Sequence, residues 1–387
     1  MLISLPQKRI LESEQHSSDL YNVGFELDFD KTDFNVTRLK HSINLVIERH
    51  HPLRTLYPNN LPNLLDKWNL EVDEVQVNSF TETSKYINEA FLHTHFDIFK
   101  GDNALVKVIV FYIDSSILVY CLSHHIAFDG ASVRVFNKDF NLFYISAIVE
   151  KLAYTYQDFC DWEIKYLSSN QYKRSVEWWE ALNVSNFIND IHYKTMTDSK
   201  TSNVYVSVLS DKDLTDKWKQ LLNTIGITPY NLFQSILAIV IQDMTKQSKV
   251  LLFGATENRP TVKSLETIGM FVNTIMYVYQ KSRMGLDFLK QCKTHFYQVL
   301  THSQVPLEHI YKLKPQIMTT YTKTSKHDIL TESMLLDKKC PAKFDLHLDF
   351  FNSEHKIVIE WNFNDKKFDF EMIKNFEVEF CRLIKDV

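Results

Sequence analysis

The chain has 387 residues, 45% of them hydrophobic and 24% charged, a globular composition long enough for two domains or two lobes around a large core. A net charge of −5 and a sequence pI near 6.3 give no general attraction to nucleic acid or to an anionic membrane. With only 7 glycines and neither a G-x-G-x-x-G turn nor a G-x-x-x-x-G-K loop, ordinary dinucleotide and P-loop chemistry is unsupported.

In chain order, Leu5-Pro-Gln7-Lys-Arg9-Ile10-Leu11 comes first, and residues 21–28 alternate as a strand does. Asn35 is placed to cap a helix whose apolar face is Val36, Leu39, Ile43, Val46 and Ile47. That helix runs into Arg49-His50-His51-Pro52-Leu53-Arg54-Thr55, where Pro52 stops it. Two arginines so close to a helix end are either solvated, capping the last carbonyls, or, for one of them, paired inside the protein. Residues 104–113 and 117–123 read as two strands joined at Asp114-Ser115-Ser116.

The second of these strands ends in His124-His125, and Asp129-Gly130 follows. Behind them Val133, Phe136, Phe140, Phe143 and Tyr144 recur at helical spacing, so the histidines sit where a strand ends and a helix begins. Backbone N–H groups are unsatisfied at such a junction. A neutral imidazole is the natural proton acceptor near pH 7, and a carboxylate four residues on either holds the ring or braces the loop. Gly130 lets the backbone turn tightly and leaves an unshielded N–H to face a developing oxyanion. The plainer alternative is a strand end with two buried, satisfied histidines. A metal site is not expected, because adjacent residues at a strand end point apart and no further ligand cluster is evident.

Tyr156-Gln-Asp158-Phe159-Cys-Asp161-Trp162 and Trp178-Trp179 then mark a polar-aromatic connection, and the lobe boundary falls between them, dividing the chain into 1–172 and 173–387. Thr228-Pro229 starts a strongly apolar helix with cap and proline in the usual order. Its longest apolar run, residues 232–241, is interrupted by Gln234 and Ser235 and is too short to span a bilayer. Residues 250–255 form a strand leading into Thr256-Glu-Asn258-Arg259-Pro260, followed by Ile268-Gly269-Met-Phe271-Val272-Asn273-Thr274 and a strand to Tyr279. A helix over 286–301 precedes His302-Ser-Gln-Val305-Pro306-Leu307-Glu308; residues 344–351 and 357–363 make a closing hairpin and 370–384 a terminal helix. Strands and helices mix in both halves, so the fold class is α/β or α+β with two similar lobes. Five scattered cysteines (Cys121, Cys160, Cys292, Cys340 and Cys381) form no metal-type pair, and no terminal segment reads as a secretory signal; a reducing cytoplasm is the expected location.

Six segments in this order resemble the condensation domain of nonribosomal peptide synthetases. Leu5-Pro-Gln7-Lys-Arg9 is similar to its opening motif, and Arg49-His50-His51-Pro52-Leu53-Arg54-Thr55 to its R-H-x-x-L-R-T segment. His124-His125-Ile-Ala-Phe-Asp129-Gly130 is similar to H-H-x-x-x-D-G, and residues 156–162 to Y-x-D-F-x-x-W. Residues 268–274 are similar to I-G-x-F-V-N-T, and Val305-Pro306-Leu307-Glu308 resembles the P-F-E stretch. The resemblance spans nearly the whole chain. The chain departs from the family in being short, in lacking an arginine-rich motif between Pro306 and Phe344, and in carrying Asn258 where many relatives have glycine.

The resemblance implies two lobes like chloramphenicol acetyltransferase, arranged as a V-shaped pseudo-dimer with a tunnel between them. It implies that His125 is catalytic, as base or as positioner, that His124 is structural or orienting, and that Asp129 is salt-bridged to an arginine, Arg259 first and Arg54 second. Gly130 would supply an oxyanion donor, and Ser132, Asn273 and Thr274 would shape the site. The implied reaction joins an acyl or aminoacyl thioester to an acceptor amine. Its substrate arrives on the phosphopantetheine arm of a peptidyl or acyl carrier protein, and no cofactor is bound permanently. The chain is expected to be free-standing and monomeric, with a small-molecule amine as one acceptor. The rivals are a coenzyme A-dependent O- or N-acyltransferase of the same superfamily and a non-catalytic recruitment domain.

Overall fold

Ile117-Leu-Val-Tyr-Cys-Leu-Ser, β-branched, aromatic and uncharged, becomes an inner strand of a sheet, and the residues that follow it are set by that strand. The computed structural model describes residues 2–14, 21–114, 116–184, 187–189, 202–280, 282–312, 314–321, 344–353 and 355–387. Cys340, Ser115 and most of the stretch between Pro306 and Phe344 lie outside the described residues. The chain divides into two units, Met1–Asn170 with Glu257–Val272, and Gln171–Thr256 with Asn273–Val387.

The first unit runs α1 (Leu5–Glu14), β1 (Asn22–Glu26), α2 (Val36–Arg49), the short β2 (Thr55–Leu56) and β3 (Asn63–Leu64), β4 (Asn69–Val77), α3 (Phe80–His93), β5 (Asn103–Ile113), β6 (Ser116–His124), α4 (Gly130–Tyr144) and α5 (Tyr156–Leu167). Its main sheet has the order β1-β6-β5-β4, antiparallel except for the parallel β4–β5 pair. Helix starts follow from polar caps: Asn35, Ser79, Asp129 and Thr155 each accept the N–H three residues on. Leu39, Ile43 and Val46 of α2, Phe136 and Phe140 of α4, and Val108, Val119 and Cys121 of the strands are fully buried. Each large apolar side chain so placed contributes about 1.5–3 kcal/mol.

The second unit runs α6 (Asn170–Ala181), β7 (Ser202–Leu209), α7 (Lys212–Ile225), α8 (Pro229–Thr245), β8 (Lys249–Thr256), β9 (Asn273–Gln280), α9 (Leu286–Thr301), β10 (Ile317–Tyr321), β11 (Leu346–Asn352), β12 (Ile357–Asn364) and α10 (Phe370–Asp386). Its sheet is mixed, in the order β7-β12-β11-β10-β8-β9, with β10 parallel to both neighbours. The apolar run of α8 is buried on all sides, which is why its hydrophobicity has no helical stripe; Phe233 stacks on Phe350 at 4.5 Å. Gln234 inside it is satisfied by Thr319 Oγ1 at 2.8 Å. Among the described residues no single helix is long and apolar enough to cross a membrane.

Two readings of the sequence are corrected. Residues 156–162 and Trp178-Trp179 are not a connection but lie in α5 and α6, and a capping box between Thr155 and Asp158 starts α5. The single cut after residue 172 also misses a return: the chain leaves β8 at Thr256, contributes residues 257–272 to the first unit, and resumes the second sheet at Asn273. N–H groups and side chains of that segment bond to His50 just after α2 and to Ser132 and Lys138 of α4, which no single cut in sequence order anticipates.

The two units share one local device. In each, a strand ends, three residues turn, a fully buried phenylalanine follows (Phe128, Phe368), and an aspartate caps the next helix. Asp129 accepts from Ser132 N and Asp369 from Met372 N. The second copy reads Asn364-Asp365-Lys366-Lys367-Phe368-Asp369, so the capping Phe-Asp pair is repeated and the histidines are not.

Candidate active site

The site is built on the turn between β6 and α4. Ala127 N–H and Phe128 N–H donate back to the carbonyls of His124 (3.0 Å) and His125 (3.2 Å), and His125 N–H donates to Tyr21 O (2.6 Å). Phe128 locks the turn from beneath, stacked on Phe25 at 5.1 Å with an interplanar angle of 4°.

The two histidines are held differently. His125, half-buried, donates Nδ1–H to Phe128 O at 2.6 Å, which places its lone pair on Nε2. His124 is buried. Its Nδ1 accepts Ile126 N–H at 3.2 Å, so Nε2–H points at Glu14 Oε1, also at 3.2 Å. Opposite tautomers in adjacent rings make Nε2 the acceptor nitrogen of His125 and the donor of His124.

Asp129 is completely buried and meets four donors. Oδ1 accepts from Ser132 N (2.9 Å), Ser132 Oγ (2.7 Å) and Arg259 Nη2 (2.9 Å), and Oδ2 from Phe271 N (3.2 Å). Arg259, its side chain 1% exposed, also donates Nη1–H to the carbonyls of Ser264 (2.7 Å) and Thr267 (2.6 Å) and lies over the Phe271 ring at 4.1 Å. Asp129 therefore braces the turn and does not reach the His125 ring. Ser132 Oγ accepts Gly269 N–H at 3.2 Å, which ties the same turn to the returning segment.

Arg54, the second candidate for Asp129, is placed elsewhere: it donates to Leu65 O and stacks on Trp68 at 5.1 Å. Asn273 and Thr274 belong to the second unit, where Asn273 Nδ2 bonds the carbonyls of Ser303 and Val305, both at 2.7 Å, and Thr274 pairs with Ala255. Gly130 is not required by the turn, since it is absent from the residues with positive φ. Nothing lies within 4 Å of where its Cβ would stand; what the missing side chain leaves bare is the N-terminus of α4. Asn258, where many relatives have glycine, has φ +46°, a left-handed conformation that asparagine tolerates better than other side chains. Gly269 has a steric cause: a Cβ there would lie 2.1 Å from the Tyr156 ring.

Several residues around the turn stand in the quoted motif segments but were not among the candidate site residues. Gln7 donates Nε2–H to Ile126 O (3.2 Å) and to Tyr57 OH (2.7 Å), and Tyr156 OH donates to Met270 O (2.6 Å). Burial pushes both phenols up, so both remain protonated. His50, fully buried, donates Nε2–H to Asp139 (2.8 Å) and accepts Ile268 N–H on Nδ1 (3.3 Å), while Arg49 Nε holds the same Asp139 oxygen at 2.7 Å. The available signal for Gln7 and Glu14 was their spacing. They stand two helical turns apart on the apolar stripe of α1 with Ile10 and Leu11, and all four are buried.

The family described as condensation domain matches residues 1–387. The chain belongs to that family, whose members form the peptide bonds of nonribosomal synthesis. It is 24% identical over 415 residues to bacitracin synthase 3 of Bacillus licheniformis, and 24% identical over 389 residues to malpinin synthetase of Mortierella alpina. It is matched there over 100% and 91% of its own length and spans 6% and 5% of theirs. Among solved structures it is similar to the condensation domain from monacolin K polyketide synthase (TM-score 0.81, 15% identity, 99% of this chain and 96% of that one). It is also similar to the epimerization domain from the third module of tyrocidine synthetase B (TM-score 0.83, 15% identity, 99% and 96%). These likenesses show the fold.

Asp129→Ala leaves the Arg259 guanidinium buried without its carboxylate, and chemical denaturation should show a loss of about 3–5 kcal/mol; unchanged unfolding would contradict the brace. His50 is lowered by burial first, with Asp139 opposing and Arg49 and His51 adding to the shift. Its folded pKa lies below its unfolded value, so its contribution is complete above about pH 6.5 and is lost as pH falls below that. The melting temperature should therefore drop more steeply between pH 7 and 5 in the native protein than in His50→Gln, and equal slopes would contradict a buried neutral His50.

Proposed function

We propose that this chain joins a carrier-bound acyl or aminoacyl thioester to an acceptor amine, with His125 acting at the amine. The observation that carries the reading is the Nδ1–H bond from His125 to Phe128 O within an intact H-H-x-x-x-D-G turn, because it puts the basic nitrogen of a half-buried ring on Nε2. An α-amine with pKa near 8 is mostly protonated at neutral pH, so a positioned acceptor for its proton is useful. As the N–C bond forms and the C–S bond breaks, the amine proton passes to Nε2 and from there to the leaving thiolate. The N–H groups at the bare start of α4, around Gly130, are the candidate donors to the carbonyl oxygen as it gains charge.

Asp129, Arg259 and Ser132 hold the geometry in this reading and take no proton. The donor is delivered on a carrier protein's phosphopantetheine arm, and the protein itself keeps no permanent cofactor. The working unit is one chain, since one chain carries both copies of the sheet-and-helix unit. The thiols of Cys121, Cys160, Cys292 and Cys381 are free, as a cytoplasmic protein's would be.

The test is intact-mass spectrometry of a donor-loaded carrier protein mixed with this protein and a panel of amines. Loss of the donor with appearance of its amide supports the reading, and His125→Ala should lower that turnover at least about a hundredfold with its circular dichroism and melting unchanged. Near-native turnover in His125→Ala would overturn the role of His125. Consumption of acyl-coenzyme A alone would make the protein a soluble acyltransferase, and carrier binding without transfer would make it a recruitment domain.

A further inference from the structure

The first turn of α1 reaches the turn that carries His125. Ser4 O accepts Lys8 N–H at 3.0 Å, so Ser4 is the N-cap of this helix. Ser4 N–H donates to Gln7 Oε1 and Gln7 N–H donates back to Ser4 Oγ, both at 3.3 Å, which closes a capping box. A capping box asks only for an acceptor oxygen three residues after the cap, and glutamate supplies one as well as glutamine does. Here the other half of the side chain is used too. Gln7 Nε2 donates to Tyr57 OH at 2.7 Å and to Ile126 O at 3.2 Å, and all three residues are buried. Ser4 N–H can only donate and Ile126 O can only accept, so the amide lies with Oε1 toward the first and its NH2 toward the second. A carboxylate could cap the helix but would set an oxygen against the Ile126 carbonyl.

The carbonyl that Gln7 holds belongs to the peptide between Ile126 and Ala127, in the middle of the turn. The His125 ring bridges this turn, since its Nδ1–H reaches Phe128 O at 2.6 Å. Rotations about Ile126 and Ala127 therefore set the span that the ring must cross. The peptide between them is bonded on both sides, its N–H to His124 O at 3.0 Å and its carbonyl to Gln7. The first bond lies inside the turn and moves with it. The second is anchored outside: Tyr156 OH donates to Met270 O at 2.6 Å, so the Ser4 hydroxyl, 2.7 Å away, donates to Tyr156 OH. Ser4, Gln7 and Tyr156 thus join the turn to the returning segment by a buried path separate from Asp129 and Arg259.

We infer that Gln7 is a positioning residue: its amide, through the Ile126 carbonyl, holds the turn at the span at which His125 keeps its proton on Nδ1. The consequence for turnover rests on the reading of His125 as the group acting at the amine. The consequence for the tautomer does not.

The experiment records long-range nitrogen–proton NMR correlations of histidine-labelled protein, with His125 assigned by its loss in His125→Asn, in the native protein, Gln7→Met and Ser4→Ala. Methionine keeps the length of the side chain and removes the donors. His125 should then leave its single Nδ1–H form and show both tautomers. In the amide-forming assay kcat should fall about tenfold, the upper worth of one hydrogen bond, with KM within about twofold. Ser4→Ala removes the hydroxyl of the cap and leaves the amide on Ile126 O, so His125 should keep one tautomer there even where melting is lowered. A folded Gln7→Met with His125 still wholly in the Nδ1–H form overturns the inference. An equal disturbance of His125 in Ser4→Ala also overturns it, by tracing the effect to the helix start. Should Gln7→Met not fold, Gln7→Glu decides: with its carboxylate ionised it keeps the capping oxygen and lacks the donor. Both tautomers are expected there again, and a single one overturns the inference. The spectra need no turnover, so a tautomer change without amide formation supports Gln7 and counts against the proposed reaction alone.

Discussion

The bond between Asp129 and Arg259 is the constraint on which the turn depends. One carboxylate, fully buried, caps α4, accepts the Ser132 hydroxyl, receives the Phe271 N–H and pairs with a guanidinium from 130 residues further on. A helix cap alone would be worth about 1 kcal/mol and would leave the residues before it able to fray. Joining the cap to Arg259 ties the start of α4 to the segment 257–272 immediately behind the turn that carries His125. The net stability gained from such a pair over an apolar substitute is small, because both ions lose their hydration. What it supplies is a unique arrangement.

That arrangement explains why the sequence carries its marked residues where it does. Gly269 admits the Tyr156 ring, Tyr156 holds Met270, and His50 holds Ile268, so two separated segments grip three successive residues of the returning segment. Arg49 and His50 are used for this through Asp139, whereas Arg54 bonds the carbonyls of Leu65 and Glu48 and lies over Trp68. The second unit repeats the strand, turn, buried phenylalanine and capping aspartate but has Asn364 and Asp365 in place of the histidines. The turn is therefore present in both units, while the paired histidines stand in one of them.

Much of this was legible in the sequence. The strand of residues 117–123, the helix behind Gly130, the closing hairpin and the helix over 286–301 all follow from runs and periods that local structure obeys. Arg259 was the first choice for Asp129. Other features had no local signal. Helix α8 is apolar on every face, so its pattern shows burial and not orientation. Residues 156–162 are aromatic and acidic and read as a connection, because the capping box that starts α5 competes with nothing apolar nearby. That residues 257–272 leave one unit to complete another depends on contacts far apart in sequence, and so does the meeting of Glu14 with His124. Gly130 was given a conformational reason, and its backbone turned out to be ordinary; the absence of a side chain matters there for what it leaves open.

The central claim is that the turn fixes His125 with its proton on Nδ1 and its lone pair on Nε2. The direct measurement is the long-range nitrogen–proton NMR correlation spectrum of histidine-labelled protein at pH 8, with His125 assigned by substitution. A protonated Nδ1 and an unprotonated Nε2 for His125, beside the reverse pattern for His124, is the result this account requires. A His125 protonated on Nε2, or exchanging between tautomers, would mean that the Phe128 carbonyl does not set the ring and that the turn does not prepare a base.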